Sequence, residues 1–247
     1  MEQIAFALLP PALLVASGLV AASHAPKPWM RSAILHLAAG VVFSVVAVEL
    51  IPDLLRDHRP FETIVGFALG VTAMLILRSF AERAEKHEEE TDGSVPAPRP
   101  EKAKLPLGML GGVAVDLLVD GFMIGIGFAA GAKEGRLLAV ALGVELVSLG
   151  LAVAVSLSNL RIGRAGTAKV LLGLAAAFLG GALVGMTLLS RLTTHMLAGV
   201  LAFGSAALLF LVTEELLTEA HEEKESPALT AMFFVGFLIF LILGMVA

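Results

Sequence analysis

The amino-acid sequence predicts an all-α, polytopic membrane protein, with eight transmembrane helices in an inverted repeat of three, two and three. The first observation is composition: 57% of the 247 residues are hydrophobic, mean hydropathy is +0.90, and only 16% are charged. Soluble domains carry roughly 25% charged residues. The second is the number of long apolar segments, and the third is a motif that recurs at two distant positions.

Each predicted span is an apolar run long enough to cross a bilayer, because a membrane helix needs roughly 20 such residues. The first segment is interpreted as a span and not as a signal peptide, because its start holds Glu2 and no Lys or Arg. The eight spans are expected at about 4–22, 32–54, 61–80, 106–131, 136–158, 168–190, 196–218 and 228–247.

The spans divide the chain into 1–80 (spans 1 to 3), a loop at 81–105, 106–158 (spans 4 and 5) and 159–247 (spans 6 to 8). The loop combines an acidic run, Glu85–Glu90, with Pro96, Pro98 and Pro100, which predicts a flexible linker. Of the 17 Lys and Arg residues, twelve fall on the side of this loop. The positive-inside rule therefore predicts a cytoplasmic loop, with both termini outside a plasma membrane or bacterial inner membrane.

The recurring motif lies at the ends of spans 2 and 7. Span 2 ends with the run from Glu49 to Asp53 and is followed by Pro60, whereas span 7 ends with the run from Glu215 to Glu219 and is followed by Pro227. Both runs read Glu-Leu, two further residues, then an acid. Five crossings separate the two spans, so they run in opposite directions, which is typical of inverted repeats in secondary transporters.

The middle spans carry three acidic residues at a depth where charge is costly. Asp116 and Asp120 lie in span 4 and Glu145 in span 5. A carboxylate in hydrocarbon costs roughly 2.5–3.5 kcal/mol, so it usually faces a polar pathway. Because residues four apart share a helix face, both aspartates can face Glu145 and form a metal site rich in oxygen ligands. Binding of protons alone, or hydrogen bonding between helices, remains open at this stage.

Further acids and one histidine at the span ends could concentrate cations at entry and exit, or could be ordinary interfacial residues. They are Glu49 and Asp53 at the outer end of span 2, and Glu214, Glu215, Glu219 and His221 at the inner end of span 7.

Other functional classes find no support in the sequence. It has no phosphate-binding glycine loop followed by Lys and Ser or Thr, and no readable pair of nucleophile and base. Nothing in it resembles a nucleic-acid-binding surface. We therefore expect neither an enzyme nor a nucleic-acid-binding protein.

The chain resembles the ZIP family of divalent metal transporters over nearly its whole length. The resemblance is carried by Ala38–Gly40 with Glu49–Asp53 in span 2, and by Glu214–His221 in span 7. The family's span 4 motif has a histidine where Asp116 stands here, whereas its acid and glycine match Asp120 and Gly121. Its span 5 motif places a first ligand at Glu145, but Leu146, Ser148 and Leu149 replace the acid, proline and glutamate that follow.

The resemblance implies alternating-access transport of a divalent metal ion toward the cytoplasm, with zinc, iron or manganese as the transported substrate. Asp116, Asp120 and Glu145 would be the metal ligands. Two alternatives stay open: a transporter of protons or of another cation, and a regulator or sensor that kept the architecture without transport. The expected partners are the lipid bilayer and the metal ion, with a homodimer as an open possibility.

Overall fold

The structure, a computed structural model, describes residues 2–24, 26–92, 105–189, 194–224 and 226–246. Within these ranges all regular secondary structure is helical, and there is no strand. The eight helices are α1 (Glu2–Ala21), α2 (Pro28–Asp57), α3 (Pro60–Asp92), α4 (Leu107–Ala130), α5 (Ala132–Asn159), α6 (Arg164–Leu189), α7 (Thr194 to Ala220) and α8 (Pro227–Val246). Each is long and apolar enough to span a membrane, so the prediction of eight spans is confirmed.

The predicted linker at 81–105 differs from the structure in its first part. Helix α3 does not end near residue 80 but continues to Asp92. The run from 81 to 90 is rich in Ala, Glu, Arg and Lys, which are all strong helix formers. Its helix propensity therefore outweighs the charge content that suggested a flexible loop. Residues 93–104, with the prolines, lie outside the described residues.

Helices α2 and α7 each contain a π-helical segment. In α2 this segment is Val46–Leu50, and in α7 it is Leu211–Leu216. Both segments end on the Glu-Leu pair of the repeated motif, Glu49-Leu50 and Glu215-Leu216. The two halves therefore share an unusual backbone feature at equivalent positions, because π-helices are rare and occur mostly as single-turn bulges.

The cause of the π turn differs between the two helices. In α2, Pro52 has no N–H, and in a regular α-helix its ring would clash with the carbonyl of residue 48. An extra residue in the turn relieves that clash. In α7 the equivalent position is Thr218, whose hydroxyl donates to the carbonyl of Thr213, five residues earlier, at 3.4 Å. A side chain thus helps to satisfy the carbonyl that the wider turn releases.

The helices pack in pairs that follow the predicted repeat. The most extensive contacts join α4 with α6 and α1 with α5, then α2 with α8 and α3 with α7. Exchanging α1 with α6, α2 with α7, α3 with α8 and α4 with α5 converts each of these pairs into another. Further contacts join α1 with α6 and α4 with α5, and α2 packs against α5 to a similar extent. We call α1, α4, α5 and α6 the inner group. The outer group is α2, α3, α7 and α8.

Glycines permit the closest crossings between these helices. A Cβ on Gly121 would collide with the carbonyl of Phe178 in α6, and a Cβ on Gly150 would collide with that of Leu14 in α1. Gly121 lies five residues after Asp116 in α4, and Gly150 lies five residues after Glu145 in α5. They therefore have equivalent packing roles on partner helices that the repeat also exchanges.

Two neighbouring glycines of α6 provide a test of this packing. A Cβ on Gly181 would collide with the carbonyl of Leu118, whereas a Cβ on Gly180 would meet nothing within 4 Å. We expect Gly181→Ala to destabilise the protein by roughly 1–3 kcal/mol, since the backbones must separate. Gly180→Ala should be neutral or slightly stabilising, because alanine favours the helix. Thermal unfolding of both variants in detergent measures the difference, and equal melting temperatures would contradict the crossing.

Candidate functional site

Two of the three acids predicted in the membrane interior are deeply buried. Asp120 in α4 is 3% exposed and Glu145 in α5 is 4% exposed. Within the described residues, Asp120 Oδ2 and Glu145 Oε2 have no hydrogen-bond partner, and the same holds for the hydroxyl of the nearby Ser148. A buried carboxylate oxygen without a partner is costly. These two acids are therefore poorly explained as structural hydrogen-bonding groups.

The third acid, Asp116, lines a cavity of about 440 Å³. The cavity reaches inward from the ends of the helices along α4, past Met109 and Gly112 to Asp116, and along α5 from Ser156 to Leu149. Asp120 lies one turn beyond Asp116, and Glu145 lies one turn beyond Leu149. The buried acids are thus placed one helical turn past the inner end of the cavity.

A fourth acid, Glu215 of α7, belongs to the same region. It also lines the cavity, and its carboxylate is close enough to Asp116, Asp120 and Glu145 for electrostatic repulsion. Its position at the end of span 7 predicts only a possible exit role for Glu215. The π-helical segment that contains it changes which face of α7 each residue occupies, so helical periodicity alone could not place it beside the central acids.

The central acids share a region but not a single coordination sphere in this conformation. Among the described residues, no three His, Cys, Asp or Glu side chains converge closely enough to hold a metal ion. The predicted ligands Asp116, Asp120 and Glu145 therefore interact electrostatically without forming a closed three-ligand site.

Basic side chains hold two of the predicted acids at the open end of the cavity. Arg31 at the start of α2 pairs with Glu219, and Arg78 of α3 donates to Glu214 at 2.6 Å. Both arginines line the cavity together with these acids. Glu214 and Glu219 thus contribute less free negative charge to this mouth than the sequence suggested.

His221 lies beside the histidine at position 36. The two rings are 5.2 Å apart between centroids and nearly perpendicular. His36 is buried, and its Nδ1 is 2.9 Å from the carbonyl oxygen of Ser32. The histidine pair therefore joins α2 to α7 at the end of the molecule where the cavity opens.

At the opposite end, the acids of α2 also have basic partners. Glu49 is buried and lies 3.5 Å from Lys133 Nζ at the start of α5. Asp53 lies 3.2 Å from Arg56, one turn along α2. The spacing of Asp53 and Arg56, three residues apart on one helix, is typical of an ion pair. The partners Lys133, Arg31 and Arg78 come from other helices, so spacing along the chain does not indicate which acid each one contacts.

A packed apolar layer separates this end from the central acids. Its side chains come from three helices. Along the chain they follow Asp120 in α4, precede Glu145 in α5 and precede Glu49 in α2. These residues, each at most 1% exposed, are Met123, Ile124, Ile126, Leu138, Leu142, Val45 and Val46. In the described part of the chain, a cavity therefore approaches the central acids from one end, hereafter the open end, and buried apolar side chains lie between these acids and the other end, hereafter the closed end.

Comparison with known proteins adds no assignment, because neither a scan against models of protein families nor a search of curated proteins finds a match to this chain.

Proposed function

We propose that this protein is a secondary transporter that moves a divalent metal cation toward the cytoplasm by alternating access. The observation that carries the proposal is the pair of buried, unpartnered carboxylate oxygens of Asp120 and Glu145 at the end of a cavity lined by Asp116 and Glu215. Carboxylates at this depth are costly unless they serve a cation pathway. The resemblance to ZIP transporters in spans 2 and 7 supports the same class of substrate.

The role of each acid follows from its position. Asp120 and Glu145 would be the innermost ligands, facing each other from α4 and α5. Asp116 and Glu215 would receive the ion as it leaves toward the cavity. Oxygen ligands suit manganese and other hard cations, while iron and zinc remain candidates on the ZIP resemblance. Because the four acids do not converge in this conformation, we propose that they close around the ion in another state of the transport cycle.

The direction of transport rests on the distribution of basic residues. The cavity opens at the end formed by the loops between α1 and α2, α3 and α4, α5 and α6, and α7 and α8. Twelve of the 17 Lys and Arg residues lie on that side, which the positive-inside rule assigns to the cytoplasm. In this assignment the structure is an inward-facing state with both termini outside.

Proton transport is a second candidate. It is favoured by the finding that no three possible ligands converge among the described residues. A proton needs only one carboxylate at a time, whereas a metal ion needs several ligands. Four mutually repelling acids would take up protons when the metal is absent, so metal and proton movement could also be coupled.

Purified protein in proteoliposomes loaded with a metal-sensitive dye tests the proposal. We expect uptake of at least one of Zn²⁺, Fe²⁺ and Mn²⁺, reduced to the level of empty vesicles by Asp120→Asn combined with Glu145→Gln. These changes keep size and polarity but remove the charge that binds the cation. Asp57→Asn, which removes an exposed acid at the end of α2, is the matched control and should transport normally.

Three other outcomes would change the assignment. Full uptake by the double variant would remove Asp120 and Glu145 from the pathway. Movement of protons alone, measured with a pH-sensitive dye, would favour the second candidate. Folded protein that moves no ion at all would favour a regulator built on a transporter scaffold.

A further inference from the structure

Lys133 is the centre of a three-helix contact at the closed end of the molecule. Its ammonium group donates to the carbonyl of Gly244 in α8 at 2.7 Å and lies 3.5 Å from Glu49 Oε1 in α2. The Glu49 side chain is only 10% exposed, whereas that of Lys133 is 37% exposed. The lysine therefore joins the first turn of α5 to α2 and α8 while keeping part of its length in contact with solvent.

Gly244 makes this contact possible through its small size. A Cβ at this position would lie 2.8 Å from Glu49 Oε1, which is closer than real Cβ atoms approach an oxygen. The absence of a side chain thus lets the carboxylate sit against α8, where it meets the ammonium group that also binds the Gly244 carbonyl. The glycine at position 244 and the opposite charges of Glu49 and Lys133 therefore depend on one another at this contact.

The helices that this contact joins give it a particular significance. Lys133 belongs to the inner group, and Glu49 and Gly244 belong to the outer group. At the open end, by contrast, the pairs Arg31–Glu219 and Arg78–Glu214 each lie within the outer group. Of these three described ion pairs, the one at the closed end therefore joins the two groups, where α2 also packs on α5, whereas the other two lie within the outer group.

We propose that Lys133 is a gating residue, whose ammonium group closes the outer mouth by binding Glu49 and the Gly244 carbonyl. This inference rests on the proposed alternating access, in which the inner and outer groups must separate at this end for an external cation to enter. Lysine suits the role because its flexible stem can carry the charge from Glu49 into water. Lys133 is the more exposed partner of the pair, so its ammonium group can move into water when the pair breaks.

The gate can be tested by thiol labelling, because the natural chain contains no cysteine. Val45 lies one turn inside Glu49 on α2 and is 0% exposed, so a Val45→Cys reporter should react slowly with a maleimide in the closed state. Adding Lys133→Met should speed labelling by about ten-fold or more, the factor that a shift of about 1.4 kcal/mol in the opening equilibrium produces. Glu49→Gln should have the same effect from the other side of the contact.

Two controls separate opening of the gate from loss of folding. Lys133→Arg keeps a cation beside Glu49 and should keep labelling slow. A Leu14→Cys reporter in α1, also 0% exposed, should stay slow in the Lys133→Met background. Unchanged labelling of Val45→Cys would overturn the proposal, and so would equal acceleration at both reporters, since Lys133 would then hold the whole fold and not one mouth.

The labelling experiment uses purified protein without any added cation. It can therefore fail while the uptake experiment succeeds, which would leave a transporter without this gate. It can also succeed while uptake fails, which would leave a gated bundle whose substrate is something other than the tested ions.

Discussion

Replacing Asp120 with valine and Glu145 with methionine is expected to make the protein more stable and to abolish the proposed cation transport. Each acid buries an oxygen that has no partner in the described part of the chain. Such a group lowers the free energy of unfolding by roughly 1–3 kcal/mol, and an apolar side chain of comparable length does not. For a chain of this size each kcal/mol shifts the melting temperature by roughly 2–4 °C. Thermal unfolding in detergent and cation uptake in vesicles measure the two effects.

The matched control is Ser148→Ala on the same helix as Glu145. The Ser148 hydroxyl is also buried without a partner among the described residues, so its removal should raise the melting temperature while leaving transport intact. Loss of stability in the Asp120→Val and Glu145→Met variants would contradict this account. It would mean that the two acids hold the helices together and are not retained at a cost for ion binding.

Deleting one residue from the π-helical segment of α2 is expected to leave the protein folded and to stop transport. A π turn accommodates one extra residue in a helix whose flanking parts keep their positions. Deletion of Ala47 from Val46–Leu50, combined with Pro52→Ala to remove the ring that would clash in a regular helix, should therefore convert the turn to regular α-helix without moving the packed ends of α2. It would, however, turn Glu49 away from Lys133. Size-exclusion chromatography, thermal unfolding and vesicle uptake check these expectations.

A deletion in the regular part of the same helix is the control. Removing Ala39, which lies in the α-helical segment Pro28–Val45 and is 0% exposed, rotates one end of α2 by roughly 100° relative to the other. That change should prevent folding. If the Ala47 deletion is equally damaging, the π segment is not a tolerated insertion, and if it transports normally, the wide turn has no part in function. Deletion of Thr213 from the π segment of α7 offers the equivalent test in the second repeat.

The fold was largely predictable, because the signals that specify it are carried by single segments. An apolar run of sufficient length predicts a membrane helix without knowledge of its neighbours. The inverted repeat could also be predicted from the sequence, since Glu49 and Glu215 begin the same short motif. The helical part of the 81–105 region is harder to predict, because its charge content favours a flexible loop while its Ala, Glu, Arg and Lys residues favour a helix. The π turns were missed because a proline inside an apolar run indicates a kink, but not an added residue in the turn.

The site was predictable only in part. Asp116, Asp120 and Glu145 stand out because each is an acid in an apolar segment, and this needs no tertiary information. Glu215 could not be placed beside these acids from the sequence, because the π-helical segment that contains it changes its position around α7. The partners of Glu49, Glu214 and Glu219 come from helices distant in sequence, and a basic residue at a helix end has many acids within reach. Ion pairing across a bundle therefore requires the three-dimensional arrangement.

The apolar layer between the central acids and Glu49 has an electrical consequence. A water-accessible cavity extends the potential of one bulk solution to Asp116, so most of the transmembrane voltage falls across the dry layer of Met123, Leu138, Leu142 and their neighbours. A charge that crosses such a layer gains or loses about 2.3 kcal/mol for every 100 mV. In the proposed transport cycle, passage of the ion across the level of Val45 should consequently be the electrogenic step, and release into the cavity should produce little current.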